Sequence, residues 1–332
     1  MKFNEEVKNN AKKNNSPARR IVAVSLALML LLFGCAKEEG EGEVTTTVPP
    51  YFPEYSLGDV VDTSSAEYSY EDMEADLRAL CEKYPDRISL HSAGSSLDGR
   101  ELYYVILGNK DAERSIMING GIHGREYLTP LFIMKQIELC LENYEVADEH
   151  GSSFSAMLSE LCLCVMPMIN PDGIMLSQKG LPAIRSDELR LGVFNIYMVD
   201  KQRSKTNEEY ADIEEYLKYW KANAAGVDLN RNFSIEYWDI MNTGVSSPSS
   251  EKYKGATPDS EPETKALIEL TKSLKGLEFT VSIHSQGEII YWDCGQRGEL
   301  RERTQALTEK ISALNGYAPY NSFTNPDATY ND

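Results

Sequence analysis

The chain has 332 residues, 42% of them hydrophobic, enough to bury a sizeable core in one large domain or two ordinary ones. Asp and Glu number 52 against 33 Lys and Arg, a formal net charge of −19 that argues against nucleic acid and against electrostatic binding to an anionic membrane surface. The same composition excludes a chain disordered throughout or a fibrous one.

Lys2, Lys8, Lys12, Lys13, Arg19 and Arg20 precede an uncharged, mostly apolar run at 21–33. That run is short for a bilayer span and suits the central segment of an export signal. It ends at Leu32-Phe33-Gly34-Cys35, which resembles a bacterial lipobox. The resemblance implies cleavage before Cys35, lipid on its sulfur, and a domain held on a membrane outside the cytoplasm. An uncleaved N-terminal anchor is the alternative. Residues 1–34 are therefore read as a lipoprotein signal peptide. Residues 35–67, rich in Glu, Gly, Thr, Ser and Pro, are read as a flexible acidic tether, and 68–332 as the folded domain. Cys81, Cys140, Cys162, Cys164 and Cys294 make an odd set without a CxxC pair, so neither a zinc knuckle nor a disulfide framework is expected.

In the domain, Ser69-x-x-Asp72 reads as a capping box, followed by helical spacing of Met73, Leu77, Leu80, Cys81 and Tyr84 up to Pro85. Runs at 88–92 and 101–107 flank Asp98-Gly99, a hairpin signal. A strand at 115–119 precedes a helix over 126–144. A buried strand at 162–169 is closed by Asn170-Pro171-Asp172-Gly173, and Cys162 and Cys164 share one of its faces. Residues 180–222 are mixed, with a charged helical stretch at 208–220. Ser260-x-x-Glu263 caps a helix ending near Gly276. A strand at 279–284 and a helix over 297–314, stopped by Asn315-Gly316, complete the pattern. Strands alternating with helices predict an α/β layered domain.

Of four histidines, His91, His123, His150 and His284, two end predicted strands, where ligands bind in α/β sheets. His123 follows strand 115–119, and His284 ends strand 279–284. Glu126 is three residues past His123, so an imidazole and a carboxylate share one face. A remote His284 would complete a His₂Glu set, the three-ligand pattern of a hydrolytic zinc site with a position open for water.

His123-x-x-Glu126, Asn170-Pro171-Asp172-Gly173, Trp220-Lys221-Ala222-Asn223, the run from Val227-Asp228-Leu229 through Asn230-Arg231-Asn232-Phe233, and Ser282-Ile283-His284-Ser285 occur in the order of the zinc carboxypeptidase family. The chain resembles that family from about residue 68 to its end. The resemblance implies an α/β/α sandwich around a mixed, mostly parallel sheet of about eight strands, incomplete at the C-terminus. It implies one zinc ion held by His123, Glu126 and His284, with Asp228 orienting a ligand histidine. Asn230 and Arg231 would grip a substrate's terminal carboxylate, for which a planar guanidinium is suited. Arg125 would touch substrate upstream of the cut. Lys221 stands where animal digestive members have an arginine that polarises the scissile carbonyl.

Trp220–Asn223 and Gln286-Gly287-Glu288 with Tyr291-Trp292 resemble the bacterial branch, which includes γ-D-glutamyl-diaminopimelate peptidases of cell-wall turnover. The implied partner is a peptide or murein peptide; the alternatives are a general carboxypeptidase on scavenged peptides and a zinc-binding pseudoenzyme that recognises peptide termini. The family's general base is a Glu well downstream of the last ligand. Glu299, Glu302 and Glu309 read as the solvated face of a helix, and Glu288 is too near His284 to match. The base is therefore expected to be absent from this chain.

Overall fold

The computed structural model describes residues 55–148, 151–203, 211–235, 238–285, 287–293 and 295–320. The expected export signal, Cys35, most of the expected tether, His150, Gln286 and Cys294 lie outside them. Among the described residues no helix is long and apolar enough to cross a membrane. The chain divides into two compact units, one built on 52–285 and one that includes 286–332.

In the larger unit, α1 (Tyr70–Lys83) opens with the expected capping box. Ser69 accepts from the Asp72 amide, the Asp72 side chain takes the Ser69 amide, and the helix buries Met73, Leu77 and Leu80. β1 (Ile88–Ser95) and β2 (Glu101–Gly108) form the expected antiparallel hairpin, with Ile88 opposite Leu107. β3 (Ser115–Gly120), α2 (Leu128–Glu142), α3 (Phe154–Glu160) and β4 (Cys162–Met166) follow, both strands being buried along their whole length. Then come α4 (Pro171–Lys179), α5 (Asp187–Arg203), α6 (Ile213–Lys218), α7 (Pro262–Ser273) and β5 (Leu277–Ile283). Residues 56–61 hydrogen-bond to α2 through Asn143 and Glu138.

The sheet order is β1-β2-β4-β3-β5. β1/β2 and β2/β4 are antiparallel, whereas β4/β3 and β3/β5 are parallel. The mixed sheet is thus as expected, but five strands form it among the described residues, and its pairings are evenly divided rather than mostly parallel. The cause is β4. It enters between β2 and β3, antiparallel to one and parallel to the other. One face carries Met117, Cys162, Cys164 and Met166 against Ala266, Leu267 and Leu270 of α7. On the other side α2 packs on β3, and α1 packs on α2. Helices therefore flank the sheet on both sides, an α/β/α arrangement. Burial pushes the Cys164 thiol up to about 12, so it behaves as a packed apolar group.

Three sequence expectations change. Asn170-Pro171-Asp172-Gly173 opens a helix instead of only closing a strand: Asn170 Oδ1 accepts from the Gly173 amide, with Pro171 at the first helical position. Ser260 does not cap α7; Glu261 occupies that position without a side-chain cap, and Ser260 Oγ bonds to Glu261 and Asn232. The mixed region contains α5, which buries Val193, Ile196 and Tyr197 yet exposes Leu191, Phe194 and Met198, so its period is blurred.

In the other unit, β6 (Ile289–Tyr291) and β7 (Ala318–Tyr320) pair in parallel across α8 (Glu299–Asn315). Gly316 ends α8 in the left-handed conformation, φ 78°, as its sequence implies. Glu299, Glu302 and Glu309 are exposed on it.

A buried ionic network ties the hairpin turn to α4 and α7. Arg100 Nη1 donates to Asp98 at 2.7 Å and to Asp172 at 2.8 Å, and the Leu97 amide donates to Glu263 at 3.1 Å. Burial pushes the Glu263 carboxyl up to about 7; the charge on Asp172 adds to this, while the backbone amides of Glu263 and Leu97 pull the other way. A raised carboxyl pKa stabilises the fold at low pH, and that stability is lost as pH climbs to 7. Glu263→Gln should therefore gain stability on wild type as pH rises from 4.5 to 7 and hold the gain above it, by on the order of 1–3 kcal/mol. Chemical unfolding across that range measures it; a gap independent of pH would mean Glu263 does not titrate there.

Candidate metal centre

β3 and β5 are parallel neighbours with Gly120 opposite Ile283. His284 is the residue after β5, and His123 lies three past β3, so both leave the sheet at the same end. Gly121 turns the chain at φ 62°, where a Cβ would fall 2.9 Å from Pro130 Cγ, so glycine is required. The Glu126 amide bonds to the His123 carbonyl at 3.1 Å, closing a turn just before α2. Thr129 fixes that turn: its hydroxyl donates to the Glu126 carbonyl and accepts the Gly121 amide, both at 2.9 Å.

Glu126 is where the site converges. Its Oε1 is 2.7 Å from His123 Nδ1, and its Oε2 is 3.1 Å from His284 Nδ1. The Ser285 amide also donates to Oε2, at 3.2 Å. The two imidazole rings lie 5.0 Å apart, centre to centre. One ligand atom from each of His123, Glu126 and His284 falls within 4.8 Å of the other two. Two imidazoles and a carboxylate suit zinc, and the spacing fits one ion.

His123 and Glu126 are buried, while His284 is about a third exposed, so the centre opens on the His284 side. Behind His123, Nε2 lies 3.4 Å from Asp228 Oδ1. Asp228 is fully buried and held by the amides of Asn230, at 3.2 Å, and Lys252, at 2.9 Å. It is placed to take a proton on Nε2 and leave Nδ1 free for a metal.

Burial disfavours a charge on His123, but Asp228 and Glu126 outweigh it and hold its pKa up at about 9. Burial likewise opposes ionised Glu126, yet hydrogen bonds from both histidines keep it well below the usual carboxylate range. Asp228 is also held low against its burial, by His123 first, with the Arg231 charge contributing.

Asn230 and Arg231 lie on one helical turn (Leu229–Arg231) whose N-cap is Asp228, so the expected clamp and the ligand support share a rigid segment. Asn230 is exposed and Arg231 buried, with the Arg231 carbonyl taking Trp238 Nε1 at 3.0 Å. Lys221 is buried, and its ammonium makes no hydrogen bond or ion pair among the described residues. Arg125 lies at the edge, 3.9 Å from Glu251.

What sequence reasoning missed is backbone interlocking. The Gly124 amide donates to the Lys221 carbonyl at 3.0 Å. A Cβ on Gly124 would lie 2.4 Å from the Gly173 carbonyl oxygen, and one on Gly173 would lie 2.4 Å from that of Ala222. Three loops thus meet where only glycine fits. The visible signal was Asn-Pro two residues before Gly173, which marks a helix start.

A family model described as zinc carboxypeptidase matches residues 73–328. Gamma-D-glutamyl-L-diamino acid endopeptidase 1 of Lysinibacillus sphaericus is 28% identical over 269 residues, 80% of this chain and 61% of that protein. Mast cell carboxypeptidase A of Rattus norvegicus is 28% identical over 232 residues, 69% of this chain and 48% of that protein. The chain thus spans less than two thirds of either relative's length. The crystal structure of thrombin activatable fibrinolysis inhibitor has the same fold, with TM-score 0.58 and 22% identity, covering 81% of this chain and 63% of that one.

Zinc has to displace the proton that His123 carries below pH 9. Calorimetric zinc titration at pH 7 in buffers of different ionisation enthalpy should show a proton released per ion bound, and the release should vanish in His123→Ala. Asp228→Asn should weaken zinc binding by about 10–100-fold. Unchanged affinity would separate Asp228 from the centre.

Proposed function

The chain belongs to the zinc carboxypeptidase family, and we propose that it is an exported peptidase that hydrolyses the peptide bond next to a residue bearing a free carboxylate, in cell-wall (murein) peptides. The observation that carries the reading is the convergence of His123 Nδ1 and His284 Nδ1 on the two oxygens of Glu126, with Asp228 behind His123.

One zinc ion, held by His123, Glu126 and His284, would supply Lewis-acid polarisation and an acidified water. The chain's own residues supply the rest. Asp228 keeps the His123 proton on Nε2. Asn230 and Arg231 bind the substrate's terminal carboxylate, Arg231 through a two-pronged contact. Lys221 is a buried cation whose ammonium has no partner among the described residues, suited to a carbonyl oxygen that gains negative charge. Arg125, at the edge, extends contact upstream of the cut. No residue is assigned as the general base.

The cell-wall assignment is supported by the similarity to the Lysinibacillus sphaericus gamma-D-glutamyl-L-diamino acid endopeptidase 1 and agrees with the export signal expected from residues 1–34. An ordinary carboxypeptidase on scavenged peptides is the competing reading, favoured by the likeness to mast cell carboxypeptidase A. Cys35 would hold the enzyme to the outer side of a membrane, since a lipid-modified residue with more than one chain anchors stably. Detergent-phase partitioning should be lost in Cys35→Ser; equal partitioning of both forms contradicts the lipid anchor.

With the full-length enzyme, kcat/KM should be higher on γ-D-glutamyl-diaminopimelate peptides than on simple C-terminal dipeptides, and the reverse order would favour the competing reading. Arg231→Ala should lower kcat/KM about a hundredfold on either, because a buried substrate carboxylate is left unpaired. A silent Arg231→Ala would remove the clamp from the mechanism.

A further inference from the structure

We propose that Asn170 is a positioning residue: its amide locks the loop that carries Lys221 onto the loop that carries His123, so that the cation and the metal centre act on one substrate group. The inference rests on the peptidase reading for the role of Lys221; the interlock itself rests on geometry.

Asn170 is fully buried at the N-terminus of α4. Its side chain bonds to four backbone groups in three segments. Nδ2 donates to the Ile122 carbonyl and to the Ala222 carbonyl, each at 3.0 Å, with the Lys221 carbonyl at 3.4 Å. Oδ1 accepts the Gly173 amide at 2.9 Å. The Asn170 amide itself donates to the Gly121 carbonyl at 2.9 Å. Ile122 immediately precedes His123, and Ala222 immediately follows Lys221.

These contacts demand an amide. The pocket presents two carbonyl oxygens at 3.0 Å, a third at 3.4 Å and one N–H, so it needs a side chain with two donors and an acceptor at one end. A capping role alone would be met by Ser, Thr or Asp. An aspartate keeps the cap but sets a carboxylate against two carbonyl oxygens. Gly124 and Gly173 let the backbones approach closely, since a Cβ on either would fall 2.4 Å from a carbonyl oxygen. Asn170 Nδ2 and the Gly124–Lys221 bond beside it join the two loops directly, while the Lys221 and Ala222 amides also donate to the Ser250 carbonyl. The ligand set has independent supports, the Glu126–Thr129–Gly121 bonds and the β3/β5 pairing. Loss of Asn170 should thus displace Lys221 and spare the metal.

The test uses the full-length enzyme as Asn170→Asp, Lys221→Ala and the double variant. Asn170→Asp should keep wild-type zinc content and KM and lower kcat about tenfold or more. In the Lys221→Ala background the same change should cost less than about twofold, since the residue it positions is gone. Amide hydrogen exchange gives a readout free of activity: the Gly124 amide should exchange at least about tenfold faster in Asn170→Asp, while β3 and β4 amides stay protected. Equal losses in both backgrounds, loss of zinc, or unchanged Gly124 exchange would each overturn the proposal. If Asn170→Asp does not fold, Asn170→Ser keeps the cap oxygen, lacks both amide donors, and serves in its place. Absence of turnover in the wild type would sink the peptidase reading, whereas the exchange comparison would still decide the interlock.

Discussion

Two histidines that leave neighbouring parallel strands meet on one carboxylate, and much of the larger unit serves to keep that meeting in place. Bringing His123, Glu126 and Asp228 out of water is costly unless each charge finds a partner. They find one another: His123 lies between Glu126 on Nδ1 and Asp228 near Nε2. The two carboxylates are in turn held by backbone amides, Ser285 on Glu126, and Asn230 and Lys252 on Asp228. With both carboxylates ionised, the cluster carries negative charge that suits a divalent cation.

The sheet order explains why the ligands come from distant parts of the sequence. β3 and β5 become neighbours only because α7 crosses over and β5 pairs in parallel on the open side of β3. Parallel pairing puts the carboxyl ends of both strands together, so His284, one residue past β5, and His123, three past β3, come face to face. The remaining site residues arrive on loops over that end, and those loops are fastened by backbone and amide contacts. Asn232 does for the Asn230–Arg231 turn what Asn170 does for the Lys221 loop: its amide donates to the carbonyls of Lys254 and Thr257 and to Ser260, and it accepts the Glu261 amide.

Much of this was legible in the sequence because local chemistry and global fold agree there. The Ser69 cap, the Asp98-Gly99 hairpin and the Gly316 stop each use a residue whose side chain or conformational freedom dictates the turn. The approach of His123, Glu126 and His284 could be anticipated because histidines are rare in the chain and two of them follow apolar strands. Less legible were features that depend on long-range contacts. α5 exposes four large apolar residues, Leu191, Phe194, Met198 and Val199, so periodicity could not mark it. Ser260 carries a capping signature, yet Asn232 and Glu261 take its hydroxyl. The strand pairing directions depend on where β4 enters, and nothing local encodes that. The interlock of Gly124, Gly173 and Asn170 leaves only glycines and a helix start in the sequence, since its partners are backbone atoms.

Zinc-edge anomalous diffraction from crystals of the zinc-loaded protein tests the centre most directly. One strong peak is expected about 2.0–2.2 Å from Nδ1 of His123, Nδ1 of His284 and a carboxylate oxygen of Glu126. A peak coordinated by other residues, or none between these three under saturating zinc, would contradict the assignment of this cluster as the metal centre.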